Sequence, residues 1–184
     1  MRWLVLAIAM MAAPVAALDL CDDLWFTRNL VYDGAGYCFG SALGQAVFDN
    51  NGCTEGAVAL SVADKALVAR VQALEAEVPC KVDTKRSALN IPDLASRRSL
   101  IDLPVASAFE SACIGWKGER LALHVARDPD ASVSGAARPG DTLLFQFEDE
   151  DGWSYVEVLQ NEVPAGAGWA RVEIGEGSCA QVAG

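Results

Sequence analysis

A helical period of apolar residues marks one long stretch in the first half of the chain. The apolar positions recur at the spacing of a single helix face: Leu67, Val71, Leu74 and Val78. Ser61 is the predicted N-cap, because its hydroxyl can accept a hydrogen bond from the first turn, where Asp64 complements the helix dipole. Pro79 ends the pattern, so the sequence predicts a helix between Ser61 and Pro79.

Two shorter helices are predicted nearer the N-terminus, over residues 22–32 and 41–48. The first ends at residues 33–36, where two glycines can supply the positive φ angles of a tight turn. The second ends at residues 49–52, which are all turn-forming types. The first third of the chain is therefore expected to be a small helical module.

From Ser107 onward, strand-like runs replace the helical period. Partial alternation of apolar and polar residues predicts four strands: residues 121–125, 142–147, 153–158 and 169–174. Turn sequences separate them at residues 128–130, 138–141, 151–152 and 166–168. Short strands at this spacing indicate a small antiparallel sandwich or barrel, so the fold class is α+β.

The connection between the two parts has a different composition. Residues 81–106 contain Pro92, Pro104 and several charges without a sustained period, which predicts an extended linker. We therefore expect a helical module over residues 18–80 and a β module over residues 107–184.

Residues 1–17 have the pattern of a signal peptide. A single Arg2 precedes an apolar run, and the small residues 15–17 form a cleavage site, so the mature chain is expected to begin at Leu18. The protein is predicted to be periplasmic or extracellular and to lack a membrane span. A lipid anchor at Cys21 is the alternative, but Leu20 stands where a lipid-attachment site has a small residue.

Six cysteines behind that leader predict three disulfides in an oxidising compartment: Cys21, Cys38, Cys53, Cys80, Cys113 and Cys179. Spacing alone does not choose among the connectivities. The preferred pairing joins Cys113 to Cys179 at the ends of one module and leaves the other four to pair among themselves. Disulfides of this kind stabilise modules too small to bury a large core.

The net charge of −11 limits the classes of partner. Nucleic acid is excluded and an anionic membrane surface is disfavoured, because no basic stripe is present to displace counterions. A basic protein, a cation or a neutral polymer remains open, alongside the simpler interpretation of a solvated acidic surface.

The first predicted helix carries a recognisable motif. Residues 24–32, Leu-Trp-Phe-Thr-Arg-Asn-Leu-Val-Tyr, followed by 36–39, Gly-Tyr-Cys-Phe, resemble the YARHG domain, a small exported bacterial module. Tyr32 and Gly36 occupy the first and last positions of the namesake motif, whereas Asp33-Gly34-Ala35 replaces its Ala-Arg-His core. The longer stretch from Cys21 also resembles an alphaproteobacterial family, the DUF4453 proteins, and that resemblance implies an envelope location.

The second half resembles a bacterial SH3-like domain over residues 121–174. Pro139-Gly140-Asp141 is similar to its Gly-Asp turn, while residues 152–156 and 168–169 are similar to its Gly-Trp strands. The resemblance implies a small β-barrel and, as ligand, cell-wall peptide or glycan.

Catalytic and metal chemistry finds little support in the residue pattern. His124 is the only histidine, it stands in a predicted strand, and no nucleophile motif accompanies it. No C-x-x-C pair is present, and the acidic run 148–151 lacks the spacing of a calcium loop. We therefore predict no enzyme activity, no cofactor and no metal site.

Aromatic residues are the candidates for ligand contact. Trp153, Tyr155 and Trp169 are expected to share one region of the β module, although core packing is favoured for at least one of the tryptophans. A second candidate face on the first helix consists of Trp25, Arg28, Asn29 and Tyr32. That face either binds a ligand or, as we favour, holds the turn at residues 34–36.

The function predicted from sequence is that of a non-catalytic exported envelope protein, a binding or accessory factor for cell-wall peptide or glycan. The alternative is an acidic accessory factor or inhibitor that binds a basic periplasmic protein, with electrostatics supplying rate and specificity.

Overall fold

A computed structural model of the protein describes residues 19–184. The predicted signal peptide, residues 1–17, and the predicted mature terminus at Leu18 lie outside the described residues. Within them, helices come first and strands follow, so the predicted α+β class is confirmed. No helix in residues 19–184 is long and apolar enough to cross a membrane.

The first helix, α1 (Leu20–Gly34), begins and ends at residues suited to those positions. The Asp19 side chain accepts a hydrogen bond from the backbone N–H of Asp22 at 3.2 Å and so caps the N-terminus. Beyond the helix, Gly36 has a φ angle of 81°, which lets the chain turn sharply towards Tyr37.

Two further helices follow, α2 (Ala42–Val47) and α3 (Val62–Glu77). Ser61 caps α3 as predicted: its Oγ accepts from the Asp64 backbone at 3.0 Å, and the Asp64 carboxylate accepts in return from the Ser61 backbone at 3.2 Å. This reciprocal capping box satisfies two backbone donors that the helix would otherwise leave unpaired.

The predicted extended linker, residues 81–106, contains one short helix, α4 (Leu94–Arg97), and its last residue begins a strand. Ile91, Arg97 and Val105 in and around it are buried. The segment therefore packs between the helices and the sheet and contributes residues to the interior.

Seven strands form one antiparallel sheet: β1 (Ala106–Trp116), β2 (Leu121–His124), β3 (Val133–Ala137), β4 (Thr142–Phe147), β5 (Ser154–Gln160), β6 (Val163–Ala170) and β7 (Cys179–Ala183). Their order is β3-β2-β6-β5-β4-β1-β7. The expectation of a barrel is corrected here, because β3 and β7 lie at opposite ends of this order and do not pair with each other. The SH3-like resemblance itself stays a prediction.

Both faces of the sheet are covered by side chains. One face packs against the helices through a cluster that includes Leu24, Val71, Val105, Phe147, Tyr155 and Trp169. The other face carries a second cluster, which includes Cys113, Leu123, Leu143, Val156 and Val158. Because the helices cover one face of the sheet, that face is shielded from water although the sheet does not close into a barrel.

Three disulfides join the cysteines as Cys21–Cys80, Cys38–Cys53 and Cys113–Cys179. The last pair is the one preferred from the sequence, and the other four cysteines pair among themselves as expected. The Cys21–Cys80 bond ties the start of α1 to the residues after α3, while Cys113–Cys179 joins β1 to the edge strand β7. These three bonds indicate an oxidising compartment.

A buried charged cluster lies between α1, α4 and the sheet. The guanidinium group of Arg97 is fully buried between the rings of Phe26 and Phe147, at 4.9 and 5.3 Å from their centroids. It forms an ion pair with Asp23 and a hydrogen bond with the Thr27 hydroxyl. These contacts compensate the loss of hydration that an isolated buried cation would suffer.

Two strand residues complete this Arg97 cluster. The Tyr155 hydroxyl donates to Asp93 Oδ2 at 2.7 Å. The carboxyl group of Glu157 is buried, and its Oε2 has no hydrogen-bond partner within residues 19–184. Burial raises the pKa of Glu157 to about 8, and the negative charges of Asp93 and Asp23 add to this effect. Burial likewise raises the pKa of Asp23 to about 6, although Arg97 opposes it.

Candidate functional site

An open cleft lined by charged side chains lies between α1 and α3, and we call it the α1–α3 cleft. Its walls are the end of α1 with the residue after it (residues 33–35), the N-cap and first half of α3 (residues 61–70), the loop 98–103, and the side chains of Arg127 and Glu150. Its volume is about 870 Å³, and it is open to solvent. This volume falls in the range of ligand-binding clefts.

An ion-pair network forms the floor where α3 meets the sheet. Arg70 forms ion pairs with Glu148 and with Glu150, the latter at 2.7 Å between Nη1 and Oε1. Burial disfavours the charged form of Arg70, but the hydrogen bonds that it donates to the two carboxylates outweigh this effect and raise its pKa. The tight turn at Asp151 and Gly152, both with positive φ, holds Glu150 in place opposite Trp153.

The same network continues through Arg127. This side chain forms an ion pair with Glu150, lies 5.3 Å from the centre of the Trp169 ring, and approaches Asp102 at 3.7 Å. The backbone of Asp102 is also fixed, because its carbonyl accepts from Trp169 Nε1 at 2.7 Å. The floor is therefore rigid, and its charges are already paired.

One carboxylate and one guanidinium group on the walls of the cleft make no ion pair within residues 19–184 and can therefore pair with a ligand. Asp33 and Arg98 have no ion-pair partner within 4.0 Å among the described residues. Burial raises the pKa of Asp33, and the charge of Arg98 partly offsets that rise. Ile101, with 73% of its surface exposed, stands on the same loop as Arg98. Besides Asp64, which caps α3, the cleft thus offers, in the described part of the chain, one unpaired cation and one unpaired carboxylate, together with several apolar side chains that include the exposed Ile101.

This arrangement suits noncovalent recognition. In residues 19–184, no group of three or more histidine, cysteine or carboxylate side chains is placed to hold a metal ion. His124 lies on β2 with its Nδ1 at 3.0 Å from the Ala131 carbonyl oxygen and its ring 5.8 Å from that of Trp153. Its contacts are therefore structural ones.

The aromatic residues predicted to contact a ligand lie inside the protein. Trp153, Tyr155 and Trp169 do share one region, since Tyr155 is the register partner of Trp169 and their rings are 5.7 Å apart. All three are buried in the cluster that faces the helices. Their contacts are with the core, and a role in ligand binding stays a prediction.

The second predicted face, on α1, makes several separate contacts. Arg28 forms an ion pair with Glu75 of α3 at 3.0 Å, and Trp25 packs against the ring of Phe48 at 5.8 Å. Tyr32 lies 5.9 Å from the ring of Tyr37, across the turn at residues 34–36. The α1 face thus contacts α3, the end of α2 and the turn, and ligand binding by its residues also stays a prediction.

Sequence reasoning did not identify Arg98 or Ile101, and it noted Asp33 only as a turn residue. These residues come from segments 65 positions apart, so no motif spacing could bring them together. One signal was available: residues 33–35 replace the Ala-Arg-His core of the motif, and the same residues line the cleft.

Two family models match the chain and confirm the resemblances to YARHG and to DUF4453, although the DUF4453 match begins at residue 79 and not in the stretch from Cys21. Residues 2–76 match the YARHG domain, and residues 79–184 match the domain of unknown function DUF4453. Neither is a known catalytic family. No curated protein and no solved structure gives a significant match to the chain. Because the second match covers more than half of its residues, the chain belongs to the DUF4453 family, with a YARHG domain in its first half.

Proposed function

We propose that this protein is a non-catalytic exported factor of the bacterial envelope that binds cell-wall peptide in the α1–α3 cleft. The observation that carries the proposal is the pair of uncommitted opposite charges, Asp33 and Arg98, on the walls of an open cleft of about 870 Å³. The three disulfides, which are typical of proteins in oxidising compartments, support a periplasmic or extracellular location.

Peptide suits the cleft better than glycan. Sugars are commonly bound on exposed aromatic faces, whereas Trp153, Tyr155 and Trp169 are buried. A stem peptide carries free carboxylates and often a free amino group. Its carboxylate can pair with Arg98, and its ammonium group can pair with Asp33, where it would lower the raised pKa of that side chain.

A binding role is also supported by the form of the floor. Because Arg70, Arg127 and Glu150 hold one another in fixed positions, a ligand would meet a preorganised surface. Ile101 adds an apolar contact whose contribution does not depend on ionic strength.

The test is co-sedimentation of the oxidised protein with purified peptidoglycan sacculi, followed by titration with soluble stem peptides. The variants are Arg98→Glu and Asp33→Asn, and Arg120→Glu serves as the matched control because it makes the same charge change at an exposed site outside the cleft. Folding of each variant is checked by thermal unfolding. We expect wild type and Arg120→Glu to bind equally, and Arg98→Glu to bind at least about ten-fold more weakly.

Two results would contradict the proposal. The first is that the wild-type protein stays in the supernatant at both low and high salt. The second is that Arg98→Glu binds as well as Arg120→Glu. Binding to glycan strands that lack stem peptides would show that the ligand is glycan and that it does not bind in this cleft.

A further inference from the structure

A second surface, distant in the chain from α1 and α3, begins at an irregularity in β1. Ala106 pairs with Phe147 and Ser111 with Phe145, so the four residues 107–110 stand opposite a single residue of β4. This bulge of four residues directs the chain away from the sheet, and 86% of the surface of Phe109 is exposed. Bulges of this kind commonly redirect side chains at functional positions.

The bulge forms one wall of a groove of about 430 Å³, which we call the β1–β7 groove. Its apolar lining comes from three strands and from the segment after β6: Phe109, Phe145, Val172, Ile174 and Val182. Val182 is 60% exposed, so the apolar surface is accessible from outside. Contiguous exposed apolar surface of this kind is typical of interaction sites.

The groove runs beside an edge of the sheet. Strand β7 pairs only with β1 in the described part of the chain, so the backbone groups on its other side are available to an added strand. An extended peptide can pair with such an edge while its alternate side chains enter the neighbouring groove.

The two charged side chains that line the groove are both acidic, although the exposed Arg171 adjoins the lining residue Val172 in the chain, with its guanidinium carbon 5.0 Å from the centre of the Trp153 ring. Glu148 and Asp149 are the only ionisable side chains that line it, apart from its disulfide cysteine, and no lysine or arginine does. Glu148 is paired with Arg70, whereas Asp149 has no ion pair within 4.0 Å among the described residues. The exposed residues Glu110 and Glu173 stand next to lining residues in the chain.

We propose that the β1–β7 groove binds an extended, basic segment of a partner protein, with one apolar side chain in the groove and its backbone along β7. Lysine or arginine residues two positions before and after that apolar side chain lie on the same face of an extended segment and would pair with the acidic lining. A second copy of this chain is a poor occupant, because its net charge of −11 would bring acidic surface against acidic surface. This site is separate from the α1–α3 cleft, although the ion pair between Arg70 of the cleft and Glu148 of the groove connects the two.

The test uses two fluorescently labelled hexapeptides, KVFVKV and its acidic counterpart EVFVEV, with binding to the oxidised protein followed by fluorescence anisotropy. We expect KVFVKV to bind and EVFVEV not to bind, because only the first places positive charges beside the phenylalanine on the face that meets the acidic lining. Increasing salt should weaken the binding of KVFVKV without abolishing it, since the apolar contact remains.

Substitutions then locate the site. Val182→Lys and Phe109→Ala should each weaken binding about ten-fold or more, because each removes an exposed apolar contact and neither supports the core. Val133→Lys is the matched control: it is 52% exposed on β3, the opposite edge strand. Asp149→Lys should weaken binding, whereas Asp130→Lys, the same change at a distant exposed site, should not.

Four outcomes would overturn the proposal. In the first two, KVFVKV does not bind the wild-type protein, or it binds Val182→Lys as tightly as Val133→Lys. Alternatively, sedimentation equilibrium shows a dimer that Val182→Lys converts to monomer, in which case a second copy covers the groove. Loss of peptide binding in Arg98→Glu would likewise place the peptide elsewhere.

Discussion

The buried carboxyl group of Glu157 should make the protein less stable as pH rises, and Glu157→Gln should remove most of that loss. The carboxyl lies on β5 in the Arg97 cluster, where burial is the main reason for its raised pKa and the charges of Asp93 and Asp23 add to it. Arg97 is the one cation that favours its ionised form. An amide of the same shape does not ionise, so the variant avoids the cost of burying the negative charge.

The direction and the size of the change in unfolding free energy follow from the pKa values of Glu157 in the folded and unfolded protein. In the folded protein the pKa is about 8, against an ordinary value of 4.5, so the group stabilises the fold at low pH. As pH rises between these values, the unfolded chain loses its proton first and stability falls. A shift of this size corresponds to an upper bound of about 5 kcal/mol for the loss between acidic and alkaline pH.

The measurement is urea unfolding with disulfides intact, followed by tryptophan fluorescence at a series of pH values from 5 to 9. Unfolding free energies of wild type and Glu157→Gln should diverge as pH rises, by several kcal/mol at pH 9. The exposed carboxylate variant Glu176→Gln is the control and should follow wild type. If Glu157→Gln and wild type gave parallel pH profiles, the reasoning about this buried carboxyl would be refuted.

Three further substitutions test other parts of the fold by the same urea assay. Arg97→Met should lower the unfolding free energy by about 3–5 kcal/mol, because it leaves a buried carboxylate without its cation; an unchanged midpoint would contradict this. Gly168→Ala should lower the unfolding free energy by about 1–3 kcal/mol, since its Cβ would lie 2.9 Å from a backbone oxygen of β2. The control Gly175→Ala, at an exposed site, should lower it little, and equal effects of the two substitutions would count against that explanation. Replacing Cys21 and Cys80 together by serine opens a loop of 59 residues and should cost about 4 kcal/mol, so a loss below about 1 kcal/mol would show that the bond does not constrain the unfolded chain.

Local signals explain the parts of the fold that the sequence predicts well. The Ser61 and Asp64 capping box and the apolar stripe of α3 depend only on residues a few positions apart, and the helix begins where they indicate. The turn at Asp151 and Gly152 is of the same kind, because both residues tolerate the positive φ angles found there.

Strands β1, β3 and β7 were not predicted, because their pairing comes from neighbours rather than from their own residues. Strand β3 (Val133–Ala137) consists mainly of small residues with little alternation, and it forms beside β2. The glycines at 166 and 168 were interpreted as a turn, yet both lie within β6. Gly168 is required there because a side chain would meet Ser134 Oγ at 2.7 Å.

The candidate site was less accessible to sequence reasoning. Aromatic residues attract attention as contact residues, but whether a ring faces solvent depends on which face of the sheet the helices cover. Arg97 and Arg98 are adjacent in the chain, yet one is fully buried and the other is exposed on the cleft wall. Only the packing of α4 distinguishes them.

The disulfide between Cys21 and Cys80 has a consequence for the independence of the two domains. The family matches meet between residues 76 and 79, but this bond crosses that boundary. Either domain produced alone would contain an odd number of cysteines and therefore a thiol without its native partner. The YARHG and DUF4453 regions of this chain are thus joined twice, once by the polypeptide backbone and once by a disulfide bond. Proteolytic cleavage between them would release separate fragments only after that bond is reduced.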